Sequence, residues 1–267
     1  MLPEQARFSE GAIYEIVRRY TRESGVRGLD RKIASIFRKL ARRKLKENHA
    51  GKFTIGESQV RKYLGIPVYE YGIREDSDQI GLATGLAWTE VGGELLSIEV
   101  TTLPGKGKLT VTGKLGEVMQ ESAQAALSYI RSRWEALSLD EDFYSELDIH
   151  IHVPEGAVPK DGPSAGITMA TALASALTGQ PVCRNLAMTG EVTLRGRVLA
   201  IGGLKEKLLA ARRGGITKVL IPKENEKHLQ EIPKELKLSL ELVMVDHMDQ
   251  VLEHALLKNH PVDKSID

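Results

Sequence analysis

The sequence predicts a small all-α subdomain followed by an α/β or α+β domain. Charge is the first of three observations behind this prediction: residues 1–67 carry 16 Lys and Arg against 7 Asp and Glu, and residues 68–267 carry 21 against 29. Apolar residues follow a helical period in the first stretch and a period of two in the second. Residues 68–80 are polar and aperiodic, which is typical of a linker. We therefore predict a helical unit at 1–67, a linker at 68–80 and a second domain at 81–260.

The first unit is predicted to form three helices. Ser9 is placed to cap a helix that runs to about Tyr20. A second helix runs from about residue 29 to about residue 45, and a shorter one follows Ser58. The residues expected to face the core are Ile13, Ile16 and Val17 on the first helix and Ile33, Ile36, Phe37, Leu40 and Leu45 on the second.

The second unit is predicted to alternate strands and helices. A hairpin is expected around Arg195-Gly196, because two strand-like stretches meet at that turn. Because strands and helices interleave throughout, the domain is of the α/β or α+β class. The predicted strands are 95–100, 108–111, 149–153, 186–194, 197–201, 218–221 and 240–245, and the predicted helices are 116–137, 165–177, 204–213 and one from about 250.

Composition excludes several classes of protein. The single cysteine, Cys183, rules out a disulfide framework and is typical of a reducing compartment. No apolar run approaches the ~20 residues needed to cross a bilayer, and the polar start does not resemble a signal peptide. We therefore expect a cytoplasmic protein with no membrane partner.

Nucleotide and metal chemistry find little support in the sequence. No G-x-x-x-x-G-K-[ST] motif occurs, so the chain alone cannot form a P-loop, and we expect no ATP hydrolysis by it. His150 and His152 share one face of a predicted strand, but no third ligand accompanies them. We interpret the two histidines as residues of a polar face and expect no metal.

The predicted helix at residues 31–46 is densely basic. The cations that are densest in this stretch are Arg38, Lys39, Arg42, Arg43, Lys44 and Lys46. One interpretation is a solvated helix face, and the other is contact with DNA phosphates. No interleaved aromatic residues indicate base stacking.

Ser164 is the candidate nucleophile. It lies in Gly-Pro-Ser-Ala-Gly, directly before the small-residue helix predicted at 165–177. That position brings its hydroxyl close to backbone N–H groups and to the positive end of the helix dipole, which together suit an oxyanion. The alternative interpretation is a serine that only caps the helix.

Lys207 is the candidate general base. On the helix predicted at 204–213 it falls between Ala210 and Ala211 and within reach of Leu204, on the side that the helix would bury. Lys205 falls instead on the charged side. A lysine accepts a proton from serine only when its amine is neutral, and burial lowers its pKa toward that condition. The alternative is a lysine that extends from the helix edge into solvent.

The serine motif also fits the G-x-S-x-G elbow of α/β-hydrolases. In that case Asp246, with His254 or His260, would complete a Ser-His-Asp triad. The elbow requires a strand that runs directly into the serine, whereas three prolines make the preceding stretch a loop. We rank this hydrolase second.

Five motifs stand out in the second domain. They are Pro-Lys-Asp-Gly-Pro-Ser-Ala-Gly at 159–166, Thr-Gly-Glu at 189–191, Gly-Gly-Leu-Lys-Glu-Lys-Leu at 202–208, Gly-Leu-Ala-Trp-Thr-Glu-Val-Gly-Gly at 85–93 and Pro-Gly-Lys-Gly-Lys at 104–108. Together they resemble the proteolytic domain of the ATP-dependent Lon proteases of bacterial type. Residues 1–67 resemble the small helical subdomain that completes the family's ATPase module. The family's Walker motifs and its amino-terminal region have no counterpart in this sequence.

The resemblance implies a Ser-Lys dyad of Ser164 and Lys207. For this dyad we expect Thr189 to hold the lysine amine and Ala165 to support the nucleophile through the neighbouring backbone amides. The alternative for Thr189 is an ordinary strand threonine. As an alternative partner of the lysine, Asp161 would pair with Lys207, raise its pKa and switch the site off, so that residues 159–163 form a gate.

The resemblance also implies the setting of the activity. Substrates would be unfolded polypeptides, and the complete enzyme would be a homohexamer that uses ATP and Mg²⁺, with Arg27 in its nucleotide-sensing stretch. Peptide cleavage by this chain would need no cofactor. A different class remains open, namely a Lon-like module without activity that binds DNA or protein.

Overall fold

The computed structural model describes residues 5–47, 51–69, 75–154 and 160–257. The chain divides into two compact units, Met1–Tyr71 and Gly72–Asp267, and the division falls inside the segment 68–80. The predicted fold class is confirmed, because a mainly helical unit precedes a unit built on a mixed sheet. Among the helices described, none is both long enough and apolar enough to cross a membrane.

The first unit packs three helices around one small core. Its elements are β1 (Ala6–Phe8), α1 (Glu10–Tyr20), α2 (Arg27–Glu47), β2 (Phe53–Ile55) and α3 (Glu57–Leu64). Ser9 caps α1 as predicted, since its hydroxyl accepts a hydrogen bond from Ala12 N at 3.1 Å. Strands β1 and β2 form a short parallel pair that the sequence analysis did not predict.

Two residues predicted to face this core are exposed. Leu45 is 85% exposed and Val17 is 40% exposed, whereas Ile16, Ile36 and Leu40 are buried. At 100° per residue, Leu45 lies about 140° around the helix from Leu40, so the inward assignment of Leu45 was wrong.

A seven-stranded sheet organises the second unit. Its spatial order is β11-β10-β7-β3-β4-β6-β5. Strand β4 is antiparallel to β3 and β6, and the other neighbouring pairs are parallel. The strands are β3 (Leu82–Thr89), β4 (Gly92–Pro104), β5 (Leu109–Thr112), β6 (Leu147–His152), β7 (Leu186–Met188), β10 (Lys218–Pro222) and β11 (Glu241–Val245), and β8 (Glu191–Val192) pairs with β9 (Val198–Leu199) in a separate hairpin.

Helices cover both faces of this sheet. One core joins the sheet to α4 (Glu117–Ser132), α5 (Gly166–Thr178) and α8 (Met248–Ala255). A second core on the other face joins it to α6 (Leu204–Arg213) and α7 (Lys234–Leu238). The unit is therefore a three-layer arrangement with a mixed sheet in the middle.

Two strand predictions were incomplete for physical reasons. Strand β3 was missed because its middle is buried on both faces, so it lacks the alternation that marks a half-buried strand. The stretch 186–194 was predicted as one strand, but it breaks at Thr189-Gly190 into β7 and β8. That break brings both residues against Ser164.

Candidate active site

A cleft of about 580 Å³ opens beside strands β3 and β4. Ser164 and Lys207 both line it, although they lie 43 positions apart in the sequence. Most of the rest of its wall comes from β3 and β4, from residues 160–165 and from residues 200–206. The lining residues are Thr84, Leu86, Ala87, Trp88, Thr89, Glu94, Leu95, Leu96, Ser97, Met119, Pro154, Lys160, Asp161, Gly162, Pro163, Ala165, Ala200, Ile201, Gly202, Gly203 and Glu206.

Ser164 lies in a 3₁₀ turn, Pro163–Ala165, immediately before α5. Gly190 N donates to the Ser164 carbonyl at 2.9 Å, and Gly190 O accepts from Ile167 N at 3.1 Å. The turn that follows β7 therefore makes two backbone hydrogen bonds to the segment that contains Ser164. Helix α5 begins two residues after Ser164 rather than one, and the N–H of Gly166 already donates to the Pro163 carbonyl.

Lys207 lies on α6, whose bounds are those predicted from the sequence. The residue is only 2% exposed. Its Nζ donates to Thr189 Oγ1 at 3.0 Å. No carboxylate pairs with this amine anywhere in the described part of the chain. Burial without a counter-charge lowers the pKa of Lys207 to about 8.

Thr189 connects the lysine to the serine. It is fully buried, and its hydroxyl donates to the Ser164 carbonyl oxygen at 3.3 Å while it accepts from Lys207 Nζ. A hydroxyl has one proton, and that proton is directed at Ser164. Thr189 therefore does not donate to the lysine nitrogen, and the lone pair of a neutral Lys207 remains available for the serine hydroxyl.

Asp161 does not form the expected ion pair with Lys207 in this structure. Its carboxylate accepts from Met119 N at 3.1 Å and from Gly162 N at 2.8 Å. Met119 lies in the first turn of α4, where unpaired N–H groups and the helix dipole favour an anion. Asp161 thus ties the loop before Ser164 to α4. Of the predicted gate, residue 159 lies outside the described residues.

The alternative Ser-His-Asp triad is not assembled around Ser164. No histidine lines the cleft as described. His254 is exposed on α8, and Asp246 interacts with Lys223 Nζ at 3.4 Å. His260 lies outside the described residues. The elbow motif requires a strand directly before the serine, whereas the residues directly before Ser164 belong to no strand.

None of the remaining candidates is among the residues that line this cleft as described. His150 Nε2 and His152 Nδ1 both hydrogen-bond Thr112 Oγ1, at 2.8 and 2.7 Å. The described residues contain no cluster of three potential metal ligands. Arg27 is exposed at the start of α2. On the basic helix, Lys39 Nζ donates to the Tyr63 carbonyl and Arg43 pairs with Glu47, so these two cations have partners within the first unit.

The sequence analysis missed the contribution of the β3–β4 hairpin to the cleft. Trp88 lies against Gly203, which caps α6 with a left-handed φ of 66°. A Cβ atom at Gly203 would lie 2.8 Å from Trp88 Cγ. Glycine therefore fits both the left-handed backbone conformation and the narrow space beside the indole ring. The motif at residues 85–93 was noted only as part of the family resemblance. It was the one feature of the sequence that could have indicated a role for Trp88.

A half-buried serine and a buried lysine on one cleft define a candidate hydrolase of the serine-lysine class. Residues 54–258 match the Lon protease C-terminal proteolytic domain, and residues 1–53 match the Lon protease AAA+ ATPase lid domain. The chain belongs to the Lon protease family.

Curated relatives give the same assignment. The chain is 65% identical over 250 residues to Lon protease 2 of Desulfotalea psychrophila and 57% identical over 246 residues to Lon protease 1 of Bacillus subtilis. These matches cover 93% and 92% of the chain but only 32% of each relative. The chain thus spans about a third of the length of the curated relatives it matches.

Proposed function

We propose that the second unit is a serine endopeptidase that uses Ser164 as nucleophile and Lys207 as general base. The observation that carries the proposal is the lysine. Its amine is buried on the same cleft as Ser164, is bound by a neutral hydroxyl and has a pKa lowered to about 8. With that pKa the amine is neutral in about a tenth of molecules at pH 7 and in half of them at about pH 8, far more often than a free lysine with a pKa of ~10.4.

The reaction proceeds in two halves through an acyl-enzyme. In the first, Lys207 Nζ accepts the Ser164 hydroxyl proton while Oγ attacks the peptide carbonyl carbon. Backbone N–H groups of the 163–165 turn, including Ala165, hold the oxyanion. The protonated lysine then gives its proton to the leaving amine, and the C–N bond breaks. In the second half, Lys207 deprotonates a water that attacks the ester, and the proton returns to Ser164 Oγ as the acid leaves.

Thr189 and Asp161 support this chemistry without touching the reacting atoms. Thr189 keeps the lysine amine in place and leaves its lone pair free. Asp161 fixes the serine loop on the N-terminus of α4. In this arrangement Asp161 acts as an anchor of the loop rather than as the counter-charge that would raise the pKa of Lys207.

Unfolded polypeptides are the substrate class that we propose. The cleft lies beside extended strands, so it suits an extended peptide better than a folded surface. The chain contains no P-loop motif, so we expect its peptide cleavage to be independent of nucleotide. Use of ATP and Mg²⁺ by a longer protein, a homohexamer, a role for Arg27 in nucleotide sensing and DNA contact through residues 31–46 stay predictions.

Covalent labelling tests the proposal. The protein is treated with a fluorophosphonate, and the modified residue is located by peptide mass spectrometry. We expect one adduct, on Ser164, that disappears in Lys207→Ala and persists in Lys205→Ala, where an exposed lysine of the same helix is removed. An adduct that forms equally fast in Lys207→Ala would contradict the proposal, and dependence on His254 instead would favour the Ser-His-Asp hydrolase.

A further inference from the structure

We propose that Gly93 and Arg213 are positioning residues that hold α6, and with it Lys207, at the cleft. The inference rests on the proposed function, because it assigns a task to residues that do not touch the reacting atoms. It concerns the side of α6 that faces strand β4. Neither residue was singled out by the sequence analysis.

Gly93 allows the backbone of β4 to touch the backbone of α6. Gly93 is buried, and it lies against the backbone of the first turn of α6. A Cβ atom placed on Gly93 would overlap the Glu206 carbonyl oxygen and would lie 3.0 Å from Lys207 N. Real Cβ atoms do not approach a backbone so closely, so any side chain at this position displaces the helix or the strand.

Arg213 makes a second tie to the same glycine. Its Nη2 donates to the Gly93 carbonyl oxygen at 2.5 Å. Glu206 and Arg213 are seven residues apart, so they lie on one face of α6 about two turns from each other. Strand β4 therefore holds α6 near its first turn and, through the arginine side chain, at its last turn.

The two ties fix the rotation of α6 about its axis. Lys207 follows Glu206 directly, and its amine donates to Thr189 Oγ1 at 3.0 Å. A small rotation of α6 moves the end of this long side chain by a larger distance than it moves the backbone. It would lengthen the contact with Thr189 and admit water to the amine.

Kinetics of arginine variants test the positioning role. We expect Arg213→Ala to lower kcat for a short fluorogenic peptide about tenfold to a hundredfold, with KM nearly unchanged, because misplacement of a catalytic group affects the chemical step. Arg213→Lys should recover part of the loss. Arg212→Ala is the matched control, since it removes the neighbouring exposed cation of α6 and should behave as the parent.

Titration of Lys207 gives a readout that does not depend on activity. In a Ser164→Ala background, the reaction of Lys207 with an amine-specific acylating reagent is followed against pH by mass spectrometry. We expect the midpoint to move upward in Arg213→Ala and in Gly93→Ala, because water reaches the amine, and to stay in place in Arg212→Ala. If Gly93→Ala does not fold, the arginine series alone decides.

The inference is overturned if folded Arg213→Ala keeps both the parental kcat and the parental midpoint, or if only its KM changes. Failure of the proposed function gives a different result. In that case the parent itself would not cleave the peptide, or Lys207→Ala would cleave it as well as the parent does.

Discussion

Two buried ionisable side chains, Glu15 in the first unit and Lys207 in the second, differ in whether a counter-charge lies beside them. The Glu15 side chain is 9% exposed and pairs with Arg61 Nε at 2.7 Å. This hydrogen bond in turn raises the pKa of Arg61. Lys207 is buried at least as deeply, yet among the described residues its amine is bound by the neutral hydroxyl of Thr189 rather than by a carboxylate.

The contrast separates a structural charge from a reactive one. A buried charge that serves the fold needs a counter-charge, since desolvation is otherwise uncompensated. A general base needs the reverse, because a counter-charge would keep its proton bound. Among the described residues no carboxylate pairs with Lys207, which costs stability and, in the proposed mechanism, favours reactivity. Variants of both residues and of their partners test this contrast.

Removal of either member of the proposed dyad should have the largest effect. We expect Ser164→Ala and Lys207→Ala each to lower kcat by about a thousandfold or more, and the double variant to be no worse, because the two groups act as one unit. Steady-state cleavage of a fluorogenic peptide measures this. Lys205→Ala is the control, and an equal loss in that variant would show that the buried face of α6 has no special role.

Loss of the Thr189 hydroxyl, which binds the lysine amine, should have the second largest effect on kcat. Thr189→Val leaves the shape but removes the acceptor for Lys207 Nζ, and we expect kcat to fall about tenfold to a hundredfold. Thr189→Ser keeps the hydroxyl and should retain most of the activity. If Thr189→Val and Thr189→Ser were equally active, the amine would be held by other contacts.

Replacement of Lys207 by an apolar residue should stabilise the second unit while it abolishes activity. A pKa of about 8 instead of 10.5 corresponds to a cost on the order of 3 kcal/mol for burying the charged form. Lys207→Met removes that cost below about pH 8. Urea denaturation followed by tryptophan fluorescence reports this unit alone, because Trp88 and Trp134 both belong to it.

The pH dependence of this gain has a definite sign. Because the folded-state pKa is lowered, the unfolded state binds the extra proton between about pH 8 and about pH 10.5. The parent therefore gains stability relative to Lys207→Met as the pH rises through this window, and the difference should close. A parent that is more stable than Lys207→Met at pH 7 would contradict the cost assigned to burial.

Removal of Arg61, the counter-charge of Glu15, should have the smallest effect of these variants on stability and activity. Arg61→Ala leaves a buried carboxylate without its partner, but the arginine side chain is 57% exposed, so solvent screens much of the pair. We expect a small loss of amide hydrogen-exchange protection in α1 and no change in peptide cleavage. Greater protection in this variant would show that the pair does not compensate the burial of Glu15.

Local patterns were sufficient for the helices that carry the site. The bounds of α6 follow from its apolar face and its terminal glycines, and the burial of Lys207 follows from its place on that face. Ser164 was found through its motif. The role of Thr189 came from the family resemblance, since a threonine at the end of a strand gives no local signal.

Contacts between distant segments were beyond the sequence. The carboxylate of Asp161 binds α4, 42 positions away, and Arg213 reaches Gly93 across 120 positions. Neither contact leaves a periodic pattern, because each depends on how strands and helices of the sheet are stacked. Strand β3 was missed for a different reason, since burial on both faces removes the alternation that identifies a strand.

The pH dependence of kcat/KM tests the central claim most directly, namely that Lys207 is a neutral base because it is buried without a counter-charge. The rate for a short fluorogenic peptide is measured from about pH 5 to about pH 10, and folding is checked at each point. We expect activity to rise with increasing pH. Its half-point should lie near the Lys207 pKa of about 8, well below the pKa of a free lysine. Full activity already at about pH 6 that survives Lys207→Ala and is lost with His228, His247, His254 or His260 would contradict the account, because a half-point near ~6.5 belongs to histidine.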